Sequence, residues 1–196
     1  MKIPVFPLNG AVLFPKTNLP LNIFEERYID MVDYSLSNQR LIGMIQQKQN
    51  GELYNIGCYG KIISFNETID KRYIINLEGI GCYRVINEVK TDYKFRMCEI
   101  SLYSNFKDTN LEPDLKPKIL EKYKKYNKIK EIDVILEEIA KLELDELLKF
   151  IVMVSPFEIS IKQMLLELKT NKELYEKVLS TIEIELASSQ DLKTIN

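Results

Sequence analysis

The chain has 196 residues, 45% of them hydrophobic and 29% charged, with a formal net charge of -2. That is enough for one large domain or two small packed lobes, with no global pull toward nucleic acid or an anionic membrane. No apolar run approaches the roughly 20 residues of a membrane span. There is no histidine, which excludes Ser-His-Asp and Cys-His nucleophilic machinery and removes the commonest zinc ligand and general base.

The opening stretch, Ile3 to Gln46, carries the most information. Prolines stand at positions 4, 7, 15 and 20. Each lacks a backbone donor, so the segment is expected to be neither helix nor central strand, but an extended, buried lead-in. A helix is expected from near Phe24, capped by Asn22 with Glu25 three residues on. Phe24, Tyr28, Met31, Val32 and Leu36 then define one apolar face at helical spacing. Short strands follow: Leu41 to Gln46, the Leu53–Ser64 region, Tyr73 to Val89 and Met97 to Leu102, with period-two alternation. Glycines at 57, 60, 79 and 81 suggest bulges and strong coiling. These elements predict a bent β barrel or sandwich carrying one helix.

A polar linker at Lys107-Asp108-Thr109-Asn110 marks the boundary, giving a β lobe over 1–106 and a helical lobe over 107–196. Beyond it the period changes to 3.6 and no glycine occurs. Helices are expected around Leu115–Tyr126, Ile132–Ile139 and Leu144–Val154, with Phe150 to Val154 the buried segment. Ser160 with Gln163, and Thr170 with Glu173, read as capping boxes opening two more. The polar tail from Ser188 is expected to fray. The fold class is therefore α+β, a β lobe followed by an α-helical bundle.

Chemistry-bearing motifs are scarce. Gly60-Lys61 fails the phosphate-loop pattern at Asn55 and Ile62, and Gly79-x-Gly81 meets Arg84 where a third glycine would stand. Cys58, Cys82 and Cys98 are widely spaced with no C-x-x-C, so they read as small hydrophobes in strands. No cofactor or metal is expected. Glu25 with Arg27, at the start of the helix, reads as an internal ion pair anchoring the helix to the barrel, and Arg84 as another structural ion-pair member. The lysines at 116, 118, 122, 124, 125, 128 and 130 read as a solvated flank balanced by the acidic segment Glu131 to Glu146; the alternative is a phosphate-tracking face.

Three separated pieces resemble the N-terminal substrate-binding domain of the Lon ATP-dependent proteases and its stand-alone relatives. The first is Ile3-Pro-Val-Phe-Pro-Leu8 through Leu13-Phe-Pro15, Leu19-Pro-Leu21, Phe24-Glu-Glu-Arg-Tyr28 and Ile42-Gly-Met44. The second is Ile56-Gly-Cys58 with Ile62, Arg72 to Gly79 and Tyr83-Arg-Val85. The third is Pro156-Phe157 with Lys162-Gln163 and Leu165-Leu166-Glu167. The resemblance implies a PUA-like β lobe followed by a helical bundle, and a stand-alone recognition module without ATPase or Ser-Lys peptidase parts.

The expected function is non-catalytic binding of polypeptide segments or a partner protein. The candidate contacts are Phe14, Pro15 and Tyr28, with an extended peptide adding to an open barrel edge. RNA binding through the β lobe and the lysine flank is the first alternative, and a histidine-free carboxylate enzyme the second. Neither a nucleic-acid nor a membrane partner is expected. Met1-Lys2-Ile3-Pro4 offers no uninterrupted apolar secretory region, which makes the cytoplasm the expected location.

Overall fold

The computed structural model describes residues 1–106, 111–112 and 114–194, with side chains to 189. The Lys107–Asn110 linker lies outside the described residues. The chain divides into two compact units, Met1–Ser104 and Asn105–Asn196, so Asn105 and Phe106 belong with the helices.

The first unit contains β1 (Lys2–Pro7), β2 (Asn18–Ile23), α1 (Glu26–Leu36), β3 (Leu41–Ile45), β4 (Ile56–Glu67), β5 (Tyr73–Val89) and β6 (Arg96–Tyr103). The sheet order is β2-β5-β4-β3-β1-β6, and a further β5–β6 pairing closes β5, β4, β3, β1 and β6 into a barrel. Strand β5 serves both ends of the sheet because it is long and bent. Its first part pairs with β2 and its last part with β6. Register shifts at Tyr59/Gly60 and Val85/Asn87 mark where the ladders bend. Ile3, Val5, Ile45, Tyr83, Cys98 and Ile100 form a buried cluster of the barrel core. All three cysteines are buried and unbridged.

Contrary to expectation, the proline-bearing β1 is a central strand. It runs parallel to β3 through Val5–Pro7 and antiparallel to β6 through Lys2–Val5. Met1 and Ile100 exchange bonds across the β6 side, so by alternation Pro4 and Met97 form a non-hydrogen-bonded pair. On the β3 side it is Leu8 that donates, to the Ile45 carbonyl at 3.0 Å. Pro7 is therefore turned toward β6, beyond the end of that ladder. Neither proline is asked for the donor it lacks.

The helix α1 starts two residues later than the sequence suggests. Asn22 belongs to β2, opposite Ile74, and cannot cap. Glu25 occupies the N-cap position with no side-chain capping bond. Tyr28, Met31, Val32 and Ser35 form the buried face of α1, while Phe24 lies outside the helix and is 65% exposed.

The second unit has α2 (Leu115–Lys130), α3 (Leu136–Ile139), α4 (Leu144–Val154), α5 (Ile159–Leu166) and α6 (Asn171–Thr194). Ile119, Tyr123 and Tyr126 of α2 and Leu174, Val178 and Ile182 of α6 are buried where these two helices pack. The expected Ile132–Ile139 helix contracts to a single turn, α3, and Ile135 is 66% exposed. In α4, Ile151 and Val152 are fully buried while Phe150, Met153 and Val154 are only partly so. Ser160 lies inside α5 and does not cap it; Glu158 takes that position. The Thr170 box is real. Glu173 N–H donates to Thr170 Oγ1 at 3.1 Å, and Thr170 N–H donates to Glu173 Oε2 at 3.2 Å. Helical backbone continues through the expected fraying tail to Thr194.

Candidate functional site

The first unit carries a cleft of about 370 Å³ where the end of β1, the end of β2, the start of α1 and the Lys94–Arg96 segment converge. Strand alternation turns Leu21 and Ile23 inward to the floor, beside Phe6 and Phe95. Phe6 packs on Tyr28 with ring centroids 4.3 Å apart, and Phe95 stacks on Tyr93 at 4.9 Å. Phe24 sits on the lip, where the chain passes from strand to helix.

Charged groups ring this apolar floor. Arg27 Nη2 lies 2.8 Å from Glu25 Oε2, and its guanidinium stands 4.5 Å from the centroid of the Tyr28 ring. Lys94 Nζ lies 3.2 Å from Glu26. Arg96 Nε donates to Glu88 at 2.8 Å and Nη1 to the Gly51 carbonyl at 3.3 Å. The Arg96 hydrogen bond holds the Glu88 carboxyl below its usual range. Burial pushes the Tyr28 phenol up; Arg27 opposes that shift and Glu25 adds to it. Tyr28 is thus a protonated O–H donor across the working pH range.

The residues singled out from the sequence separate. Tyr28 lines the cleft and is 6% exposed. Phe14, expected to present an exposed ring, is fully buried. Its loop folds back onto the barrel: Lys16 N–H donates to the Gly79 carbonyl and Gly79 N–H to the Thr17 carbonyl, both at 2.8 Å. Thr17 Oγ1 donates to the Phe14 carbonyl at 2.8 Å. Pro15 stays half-buried in that loop, away from the cleft lining. The Glu25–Arg27 pair exists, but its side chains are about half exposed and bonded to each other, so it is not internal. Arg84 is exposed and stacks over Tyr103, 5.4 Å from the ring centroid, with no ion pair among the described residues.

The expected edge is also different. The barrel is closed, and among the described residues β2 pairs only with β5. Gly79 N–H bonds the Thr17 carbonyl, so alternation directs Leu19, Leu21 and Ile23 toward β5 and Asn18, Pro20 and Asn22 outward. Pro20 removes the middle donor of that outer edge, which blunts strand addition there.

Two other expectations shift. Lysines of α2 are balanced by α6 and by α2 itself, not by the Glu131–Glu146 segment: Lys122 meets Glu183 at 2.8 Å, Lys130 meets Glu185 at 2.7 Å, and Lys125 meets Glu121 at 2.7 Å. A carboxylate enzyme needs two converging acids, whereas Glu25 is the one carboxylate among the cleft's lining residues. Phe6, Lys94, Phe95 and Arg96 were not legible as site residues, because only the barrel closure brings positions 6 and 95 together.

A closed barrel with one helix laid on it, followed by a helical unit, is the fold of two solved structures. The Lon N-terminal domain protein from Xanthomonas campestris matches with a TM-score of 0.69 and 21% identity over 92% of this chain and 98% of that one. The N-terminal domain of Mycobacterium avium complex Lon protease matches with a TM-score of 0.69 and 11% identity over 93% of this chain. The family model of the ATP-dependent protease La (LON) substrate-binding domain matches residues 2–183, and the chain belongs to this family. The Lon protease of Buchnera aphidicola subsp. Acyrthosiphon pisum is 26% identical over 98% of this chain and 26% of its own length. That of Desulfosudis oleivorans is 32% identical over 46% of this chain and 12% of its own. The chain thus spans about a quarter or less of the length of the curated relatives it matches. No helix among the described residues is long and apolar enough to cross a membrane.

Proposed function

We propose that the chain binds polypeptide segments in this cleft, as a cytoplasmic recognition module that performs no chemistry of its own. The observation that carries the reading is an apolar floor beneath an aromatic ring, Phe24, left 65% exposed in a member of a substrate-binding family. A large apolar side chain held out at the lip of a cleft is costly to leave in water and gains by covering a ligand. The polar rim, by contrast, is already internally paired and gives register more than affinity.

The test is fluorescence anisotropy with a labelled model protein kept unfolded by reduction and alkylation. The parent chain is expected to bind it in the micromolar range. Phe24→Ser is expected to weaken binding about five- to tenfold, the usual effect of losing one aromatic anchor, with an unchanged circular dichroism melt. No binding by the parent at high micromolar concentration, or no effect of the substitution, removes the reading.

A further inference from the structure

The buried tyrosines of this chain dispose of their hydroxyls in different ways. Tyr83 donates to the Met44 carbonyl at 3.4 Å and Tyr126 to Glu185 at 3.1 Å. The Tyr123 and Tyr175 hydroxyls lie sealed among the helices. The Tyr28 hydroxyl has no hydrogen-bond partner among the described residues, although the residue is more than nine-tenths buried. It differs from the sealed pair in lining an open cleft. Its hydroxyl is reached from the cleft and has no internal acceptor, so an incoming acceptor takes a donor that only solvent would otherwise satisfy.

The charge around it narrows what that acceptor is. Arg27 and Arg96 both stand close enough to act on the phenol, with Glu25 as the opposing charge. Lys94 lines the same cleft. Each cation already holds a carboxylate, Glu25, Glu88 or Glu26. Lys94 also reaches Asp30 at 3.8 Å, so a ligand carboxylate has to share Arg27 and Arg96 with Glu25 and Glu88. Arg27 commits Nε and Nη2 to Glu25, which leaves Nη1 without a partner among the described residues. Beside this group lie Phe6, Ile23 and Phe95, which accept an apolar side chain.

We propose that Tyr28, flanked by Arg27 and Arg96, is the polar anchor that selects polypeptide segments in which an acidic residue stands two positions from an aromatic one. The carboxylate takes the phenol's hydrogen bond while the neighbouring ring covers the Phe6–Phe95 floor and meets Phe24. In an extended segment, residues two apart lie on one side, so a Phe-x-Asp spacing lets both groups face the cleft. This specificity rests on the cleft's role as the polypeptide site.

The probe is a labelled Gly-Ser peptide carrying a single Phe-x-Asp, alongside versions with Asn or Lys in place of Asp. The parent chain is expected to prefer Asp over Asn by about tenfold, the effect of a hydrogen bond to a charged acceptor, and to bind the Lys version weakest. Tyr28→Phe keeps the ring against Phe6 and is expected to erase the Asp preference, the Asp peptide losing much more affinity than the Asn peptide, whose neutral amide oxygen is the weaker acceptor. Equal affinity for Asp and Asn, a preference for Lys, or an Asp preference that survives Tyr28→Phe overturns the inference. If the unfolded model protein binds and none of these peptides does, the acidic-aromatic specificity alone falls. If that protein fails as well, the cleft reading falls with it.

Discussion

At Gly79 a single methyl group decides whether the first unit closes. A Cβ there would overlap the carbonyl oxygen of Phe14, and the loop that holds Phe14 is itself bonded to Gly79 through Lys16 and Thr17. Backbone cannot retreat as a flexible side chain can. Gly79→Ala is therefore expected to cost about 3 kcal/mol in urea unfolding. Gly10 is the contrasting case: its φ of +79° favours glycine, but nothing lies within 4 Å of an added Cβ. Gly10→Ala is expected to cost only about 1 kcal/mol, because strain acts there without collision. A second residue-scale effect is electrostatic. Burial pushes the Cys98 thiol from 9.0 to about 11. The unfolded thiol loses its proton first, so between those values the unfolded chain holds fewer protons and stability falls as pH rises. Cys98→Ala is expected to flatten the stability-against-pH slope across that window, whatever its cost in packing. An unchanged slope assigns the alkaline loss to other groups. Phe14 shows why such details escape a reading of residues alone. Its aromatic character marked it as contact or core, and only the hydrogen bonds of its loop to Gly79 decide for core.

Among the elements, β1 and β2 use proline in opposite ways. In β1 the rings stand where no ladder bond is required, so a central strand tolerates them. In β2, Pro20 faces outward and denies a donor to any chain that approaches the edge. Pro20→Thr restores that donor and is expected to promote edge-to-edge self-association, visible in sedimentation velocity as a dimer at concentrations where the parent shows none. Unchanged sedimentation refutes the protective role. Periodicity identified β3 to β6, α1, α2, α4 and α6, because their apolar residues recur at the spacing their burial demands. Caps were less legible. Asn22 and Ser160 are good capping types recruited instead by the β5 ladder and by an earlier helix start, whereas Thr170 has no such competitor. The position of β1 between β3 and β6 could not be read, since proline's local penalty says nothing about which neighbours ask for its donor.

On the scale of the whole molecule, charge is the limiting property. The chain carries 27 basic against 29 acidic side chains, and α2 lysines are partly neutralised by Glu183 and Glu185 of α6. Such a surface offers few counterion-releasing contacts. The protein is expected to pass through a polyanion column at physiological ionic strength, and retention there would restore the nucleic-acid reading. The two units also differ in how their contacts are spread along the chain. In the second unit the main packing, α2 on α6, joins residues such as Tyr126 and Glu185, 59 positions apart. In the first, Lys2 pairs with Glu99 and Val5 with Arg96. During synthesis β1 emerges early, yet one of its two flanking strands does not exist until β6 has been made. Its apolar residues Ile3, Val5 and Phe6 must wait through roughly a hundred residues of elongation, several seconds at ordinary ribosomal rates. Long-range closure of this kind is slow in refolding too. The barrel that builds a binding cleft thus leaves its own first strand, while the chain is growing, in need of temporary shelter.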